Sequence, residues 1–77
     1  MSKPTRITNS IRALRFARGE MTQAELAQRI GVTRQTIIAI EKGRYSPSLE
    51  MAFQISRVFK VPLDEVFQYP DGEGEHR

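Results

Sequence analysis

A chain of 77 residues supports one domain and buries only a modest core, so efficient packing or dimerisation must help to stabilise it. The absence of Cys excludes a disulfide framework and a Cys-based zinc site, and with no membrane-length apolar run and no signal peptide the expected home is intracellular and cytoplasmic. The net charge of +3 is unevenly spread: residues 1–44 hold nine Lys/Arg against three Asp/Glu, and residues 45–77 hold three against six, which predicts a phosphate-attracting basic face and an acidic C-terminal part turned away from it.

Met1 to Thr8 is a polar, Pro-containing lead in which Thr5-Arg6-Ile7-Thr8 tolerates a short strand. Asn9 or Ser10 can cap a first helix running to about Arg18, with Ile11, Leu14 and Ala17 on its inner face and Gly19 after its end. After the turn Gly19-Glu20-Met21, Thr22 followed three residues later by Glu25 forms a capping box, and Met21 and Leu26 are placed to close over it. Leu26, Ala27 and Ile30 fall on one helical face, and Gly31 supplies the left-handed residue that ends this second helix. Thr33 caps the next, in which Ile37 and Ile40 turn inward with Val32 until Gly43 stops it. The small Ala27 lets the third helix cross close to the second, leaving Arg34, Gln35, Thr36, Ile38 and Lys42 outward.

Gly43-Arg44-Tyr45-Ser46-Pro47 is a loop, and Ser48 caps a fourth helix that reaches about Phe59. Its polar positions Glu50, Gln54 and Arg57 form one narrow stripe; the apolar remainder (Leu49, Met51, Ala52, Phe53, Ile55, Val58 and Phe59) requires burial on more than one side, which a partner subunit would supply. Val61 to Phe67 reads as a short fifth helix with Pro62 at its start and Asp64 and Glu65 in the first turn. Phe67-Gln68-Tyr69 is expected to be extended, Pro70-Asp71-Gly72 to turn, and the Gly-rich charged end to stay disordered. The organisation is an arm (1–10), a helical domain (11–67) and an acidic tail (68–77).

The outward residues of the third helix carry the chemistry. In an arbitrary amphipathic helix Arg34, Gln35 and Thr36 would be an ordinary solvated face. Here a helix and a tight turn precede them. Arg and Gln side chains match the edges of G and A in the major groove, and Ile38 can touch a thymine methyl. A short helix presented at an angle by another is how a helix-turn-helix reads duplex DNA. Thr22 and Gln23 at the start of the second helix, and Thr33 at the start of the third, stand where backbone N–H groups and side chains grip phosphate. Enzymatic readings fare poorly. The sole histidine, His76, lies in the tail, and Asp71, Glu73, Glu75 and His76 read as a solvated acidic stretch with nothing to preorganise a metal. No Gly-rich phosphate loop is present, and no metal or cofactor is expected.

Gln23, Ala27, Gly31, Ile37 and Ile40 sit where the Cro and phage-repressor (XRE) family has its hallmark residues. The stretch from Val32 to Leu49 resembles the short bacterial regulators of that family. The match runs from about Ile11 to Phe67, with a turn after Arg18 one residue longer than the commonest family pattern. The resemblance implies a compact all-α, five-helix, lambda-repressor-like domain. Some short members add a small antiparallel ribbon, here Arg6-Ile7 pairing near Phe67–Tyr69. It further implies that Gln23 binds phosphate, that Lys42, Arg44, Tyr45 and Ser46 contact the DNA backbone past the reading helix, and that Arg15 and Glu41 form an orienting ion pair. The function implied is sequence-specific binding of double-stranded DNA by a repressor, acting as a homodimer on a near-palindromic operator. Phe59, Leu63, Phe67 and Tyr69 are the interface candidates, and no small-molecule effector is expected within the chain. The alternative is an antitoxin-like interaction module with secondary DNA binding. A single-stranded nucleic-acid binder is disfavoured because the outer faces lack an aromatic stacking platform.

Overall fold

Most helix starts in this chain are set by side chains that satisfy the N–H groups no helix can satisfy for itself. The computed structural model describes residues 5–44 and 46–70. Their order is β1 (Thr8–Asn9), α1 (Ile11–Ala17), α2 (Gln23–Ile30), α3 (Arg34–Glu41), α4 (Leu49–Phe59), α5 (Leu63–Val66) and β2 (Phe67–Gln68). At α2 the capping box is complete: Glu25 N–H donates to Thr22 Oγ1 at 3.0 Å and Thr22 N–H donates to Glu25 Oε1 at 3.1 Å. Thr33 and Ser48 cap α3 and α4 by accepting from Thr36 N–H and Met51 N–H.

The apolar stripes meet in one core. Ile11 of α1, Leu26 of α2, Ile37 and Ile40 of α3, Ile55 and Phe59 of α4 and Val66 of α5 are all fully buried, and Met21, Ala27 and Ile30 join them. Each large aliphatic or aromatic side chain so placed contributes roughly 1.5–3 kcal/mol. Phe59 therefore belongs to the chain's own core, which removes it from the expected subunit interface: a side chain with no exposed surface has none to offer a partner. Ala17, expected to face inward, is exposed, because α1 already ends there and the chain turns away.

The turn after α1 is made by two left-handed residues, Gly19 (φ 75°) and Glu20 (φ 61°). They bring Met21 N–H back to the carbonyl of Arg15 at 2.9 Å. The additional residue is thus absorbed within the turn and leaves α2 packed on the core. Arg18, just past α1, donates to the carbonyl of Phe59 at the C-terminal end of α4.

A two-stranded antiparallel ribbon closes the chain ends, with Thr8 opposite Gln68 and Asn9 opposite Phe67. The pairing lies two residues beyond the expected Arg6-Ile7 segment. Asn9 explains the shift. Its Oδ1 accepts from Ile11 N–H at 3.1 Å, and its Nδ2 donates to the carbonyl oxygens of Ile40 (3.1 Å) and Glu41 (3.4 Å). One side chain thus starts α1 and satisfies the end of α3, whereas Ser10, which occupies the cap position, makes no capping bond of its own. Upstream, Thr5 N–H donates to the carbonyl of Gly43 and its hydroxyl accepts from Ser46 Oγ at 2.8 Å. Residues assigned from sequence to an arm and a tail are therefore partly built into the domain, from Thr5 through Gln68. Residues 71–77, which hold the expected turn's end and the acidic cluster, lie outside the described residues.

Candidate nucleic-acid interface

The turn between α2 and α3 sets the presentation of the third helix. Gly31 takes φ 76° and ψ 32°, a left-handed conformation that a side chain resists, and Val32 N–H returns to the carbonyl of Ala27 at 3.0 Å. Ala27, only 2% exposed, and the fully buried Ile37 fill the helix crossing. With that inner face committed, Arg34 and Gln35 at the leading end of α3 are exposed.

An ion pair ties α3 to α1. Arg15 Nε donates to Glu41 Oε2 at 2.7 Å and its NH2 to Glu41 Oε1 at 3.2 Å, while NH1 donates to the carbonyl of Met21 at 2.8 Å. Both side chains are about nine-tenths buried, and this is the ion pair found among the described residues. The fork of the guanidinium matches the carboxylate, so the contact fixes angle as well as distance. The longer turn after α1 does not disrupt it, because it leads Met21 back onto Arg15. Gln23 joins the network, its Nε2 donating to Glu41 Oε1 at 3.2 Å. That bond leaves one amide N–H and the amide oxygen of Gln23 for an outside partner.

Thr22, Gln23, Arg34 and Lys42 line one open depression, together with Arg15 and Glu41 at its floor. Beside it, Gln23 and Ala24 open α2 with backbone N–H groups that have no intrahelical acceptor. The remaining residues expected to touch DNA are distributed around this centre. Thr33 and Thr36 are bonded to each other, hydroxyl to hydroxyl at 3.0 Å, which leaves Thr36 half-buried. Ile38 is half-buried as well, while Arg44 and Ser46 are exposed in the loop after α3, with Ser46 held by Thr5. Tyr45 lies outside the described residues. Sequence reasoning gave Asn9 a capping role and missed that it also anchors the end of α3, and it passed over Arg12 and Phe16, which line the depression from α1. The i, i+4 spacing of Arg12 and Phe16 was a signal that could have been read. The Asn9 bond spans the fold and left no local trace.

Two grooves that share no lining residue with this depression are apolar. A groove beside the ribbon is lined by Ile7, Leu63, Phe67 and Tyr69, with Asp64 and Gln68 at its edge, and a second by Pro47, Leu49 and Ala52 together with Ile7, Leu63 and Phe67. Leu49, Phe53 and Tyr69 are 68%, 49% and 65% exposed. Of the expected interface residues, Leu63, Phe67 and Tyr69 are grouped here.

The comparisons with known proteins agree with this geometry. A helix-turn-helix family model matches residues 11–66, and the chain belongs to that family. It is 55% identical over 53 residues to an uncharacterized HTH-type transcriptional regulator of Methanocaldococcus jannaschii, covering 69% of this chain and 80% of the relative. An uncharacterized HTH-type regulator of Bacillus subtilis is 46% identical over 59 residues, covering 77% of this chain and 88% of that one. The transcriptional repressor of the cryptic phage CTXphi in Vibrio cholerae is 39% identical over 59 residues, 77% of this chain and 52% of the repressor. The crystal structure of a Bacteroides fragilis protein proposed to bind DNA superposes with a TM-score of 0.70 at 22% identity, covering 80% of this chain and 98% of the other, a likeness of fold. The chain is accordingly an XRE-like transcriptional regulator with a DNA-binding helix-turn-helix, not an enzyme. The relatives come from archaea as well as bacteria, so the expected bacterial origin does not follow from the similarity. Among the described residues no helix is long and apolar enough to cross a membrane.

Proposed function

We propose that the protein is a repressor that binds a near-palindromic operator as a homodimer, with α3 in the major groove of each half-site. The observation that supports this most is the exposure of Arg34 and Gln35 at the leading end of a helix whose inner face is locked by Ile37, Ile40 and the Arg15–Glu41 pair. Arg34 and Gln35 read base edges, with Thr36 and Ile38 beside them in closer apolar or hydroxyl contact. Thr22, Gln23 and Thr33 meet phosphates from the helix starts, and Lys42, Arg44 and Ser46 meet them past the end of α3; Tyr45 keeps the same role by resemblance. Leu63, Phe67 and Tyr69, helped by α4, join the subunits and place the two reading helices about one DNA turn apart, roughly 34 Å.

The test is Arg34→Ala, measured against a duplex selected from a random pool and against a scrambled duplex of the same length. The variant should lose about 1–3 kcal/mol on the selected site and little on the scrambled one, with an unchanged melting temperature. An equal loss on both sequences would mean that Arg34 holds phosphate and does not read bases.

A further inference from the structure

Helix α1 carries a feature that core packing does not account for. Phe16 is 53% exposed, although it is a phenylalanine on a helix whose inner positions are well filled. Two guanidinium groups lie over its ring: Arg12 at 5.4 Å from the centroid and Arg15 at 5.8 Å. Their commitments differ. The Arg15 guanidinium is bonded to Glu41 and to the carbonyl of Met21, so its charge is compensated inside the domain. Arg12 is exposed, and it lines the same depression as Gln23, Arg34 and Lys42. With the Glu41 carboxylate matched by Arg15, the cations left on this surface are Arg12, Arg34 and Lys42, opposed by Glu20 alone among the lining residues.

We propose that Arg12, laid on the ring of Phe16, is a further phosphate clamp that extends the DNA interface from α2 and α3 onto α1. The occupant is the phosphodiester backbone of the same duplex that α3 reads, so the inference rests on that function. Charge complementarity selects it: Arg12, Arg34 and Lys42, opposed by Glu20 alone among the lining residues, present a net positive surface beside α3, which attracts the anionic backbone of a duplex. The ring supplies the second half of the argument. A free arginine loses much rotamer freedom when it is immobilised. One already resting on an aromatic face loses less, and a guanidinium stacked on a ring keeps its N–H edge directed outward for phosphate oxygens.

The experiment titrates binding of the full chain to its selected duplex over a range of salt concentrations, for native protein and four variants. Arg12→Ala should make the slope of log affinity against log salt shallower by about one unit. Arg12→Gln, which keeps the stem over the ring and loses the charge, should do the same. Phe16→Leu keeps the charge and loses the platform; it should leave the slope as it is and weaken binding by roughly two- to fivefold. Arg57→Ala, on the exposed side of α4 and outside the depression, removes an equal charge and should change the slope much less. If Arg12→Ala and Arg57→Ala give the same slope, or if Arg12→Ala matches native protein, the clamp is wrong while the DNA-reading function stands. If the native chain binds no duplex at all, both fall.

Discussion

The two sides of this small domain are exposed for different reasons. On the α1–α2–α3 side, polar groups are held in place from beneath. Glu41 is gripped by the fork of Arg15 and by Gln23, Asn9 satisfies the last carbonyls of α3, and the resulting surface offers exposed cations at set positions. On the α4–α5–ribbon side, Leu49, Phe53 and Tyr69 are exposed with no comparable hydrogen-bonded frame, beside grooves of nearly pure apolar lining. Hydrogen bonds and ion pairs are directional, so the first surface specifies the chemistry of its partner. Hydrophobic burial is not directional, so the second specifies only that covering it lowers the free energy.

The largest effect expected from disturbing this contrast is on the framed side. Glu41→Ala leaves Arg15 charged, buried and unpaired, and should cost about 3–5 kcal/mol of stability in urea titrations. A loss below about 1 kcal/mol, the range of an exposed pair, would show that the frame does not hold α3. Next comes the apolar side. Sedimentation at micromolar concentration should find native protein dimeric, and Leu63→Glu, which puts a charge into the groove, should weaken association by about 2 kcal/mol or more, as for an interface anchor. A native monomer would assign the apolar face to something other than a second copy.

Smaller changes sharpen the distinction. Lys42→Ala or Arg44→Ala should weaken binding to every duplex alike and lower the salt slope by about one unit, with stability unaffected; an unchanged slope would take that residue out of the phosphate set. The smallest effect concerns Lys60, which closes α4 in a left-handed conformation (φ 59°) that costs a side-chain-bearing residue about 1 kcal/mol or more. Lys60→Gly should relieve that strain and, after the greater chain entropy of glycine, raise stability by about 0.5 kcal/mol. A melting temperature that rises while DNA affinity stays constant would place this strain in the fold and not in the interface.

Much of the α2–α3 half was legible because its signals are local. Thr22 with Glu25, Gly31 and Thr33 each act within a few residues along the chain, so their spacing reveals α2, the turn and α3 without knowledge of the rest. The Arg15–Glu41 pair was legible only through the family resemblance, since its members are far apart in sequence. Where reading failed, the deciding interaction was long-range. The apolar circumference of α4 could not show which of its residues the chain covers itself, and Phe59 went to the core while Phe53 and Leu49 stayed outside. The ribbon register followed Asn9, whose side chain reaches the end of α3, so strand propensity around Arg6-Ile7 could not locate it.

By itself, then, the order of residues determined the helices, their approximate starts and stops, and that Arg34 and Gln35 of α3 are turned away from the core, because caps, glycine turns and helical periodicity depend on neighbours only a few positions apart. Tertiary structure alone decided how the chain ends are stitched to α3, which aromatic residues are covered, and that Arg12 and Phe16 share a surface with α3. Those outcomes depend on contacts between segments distant in sequence, and such contacts exist only once the core has brought the segments together.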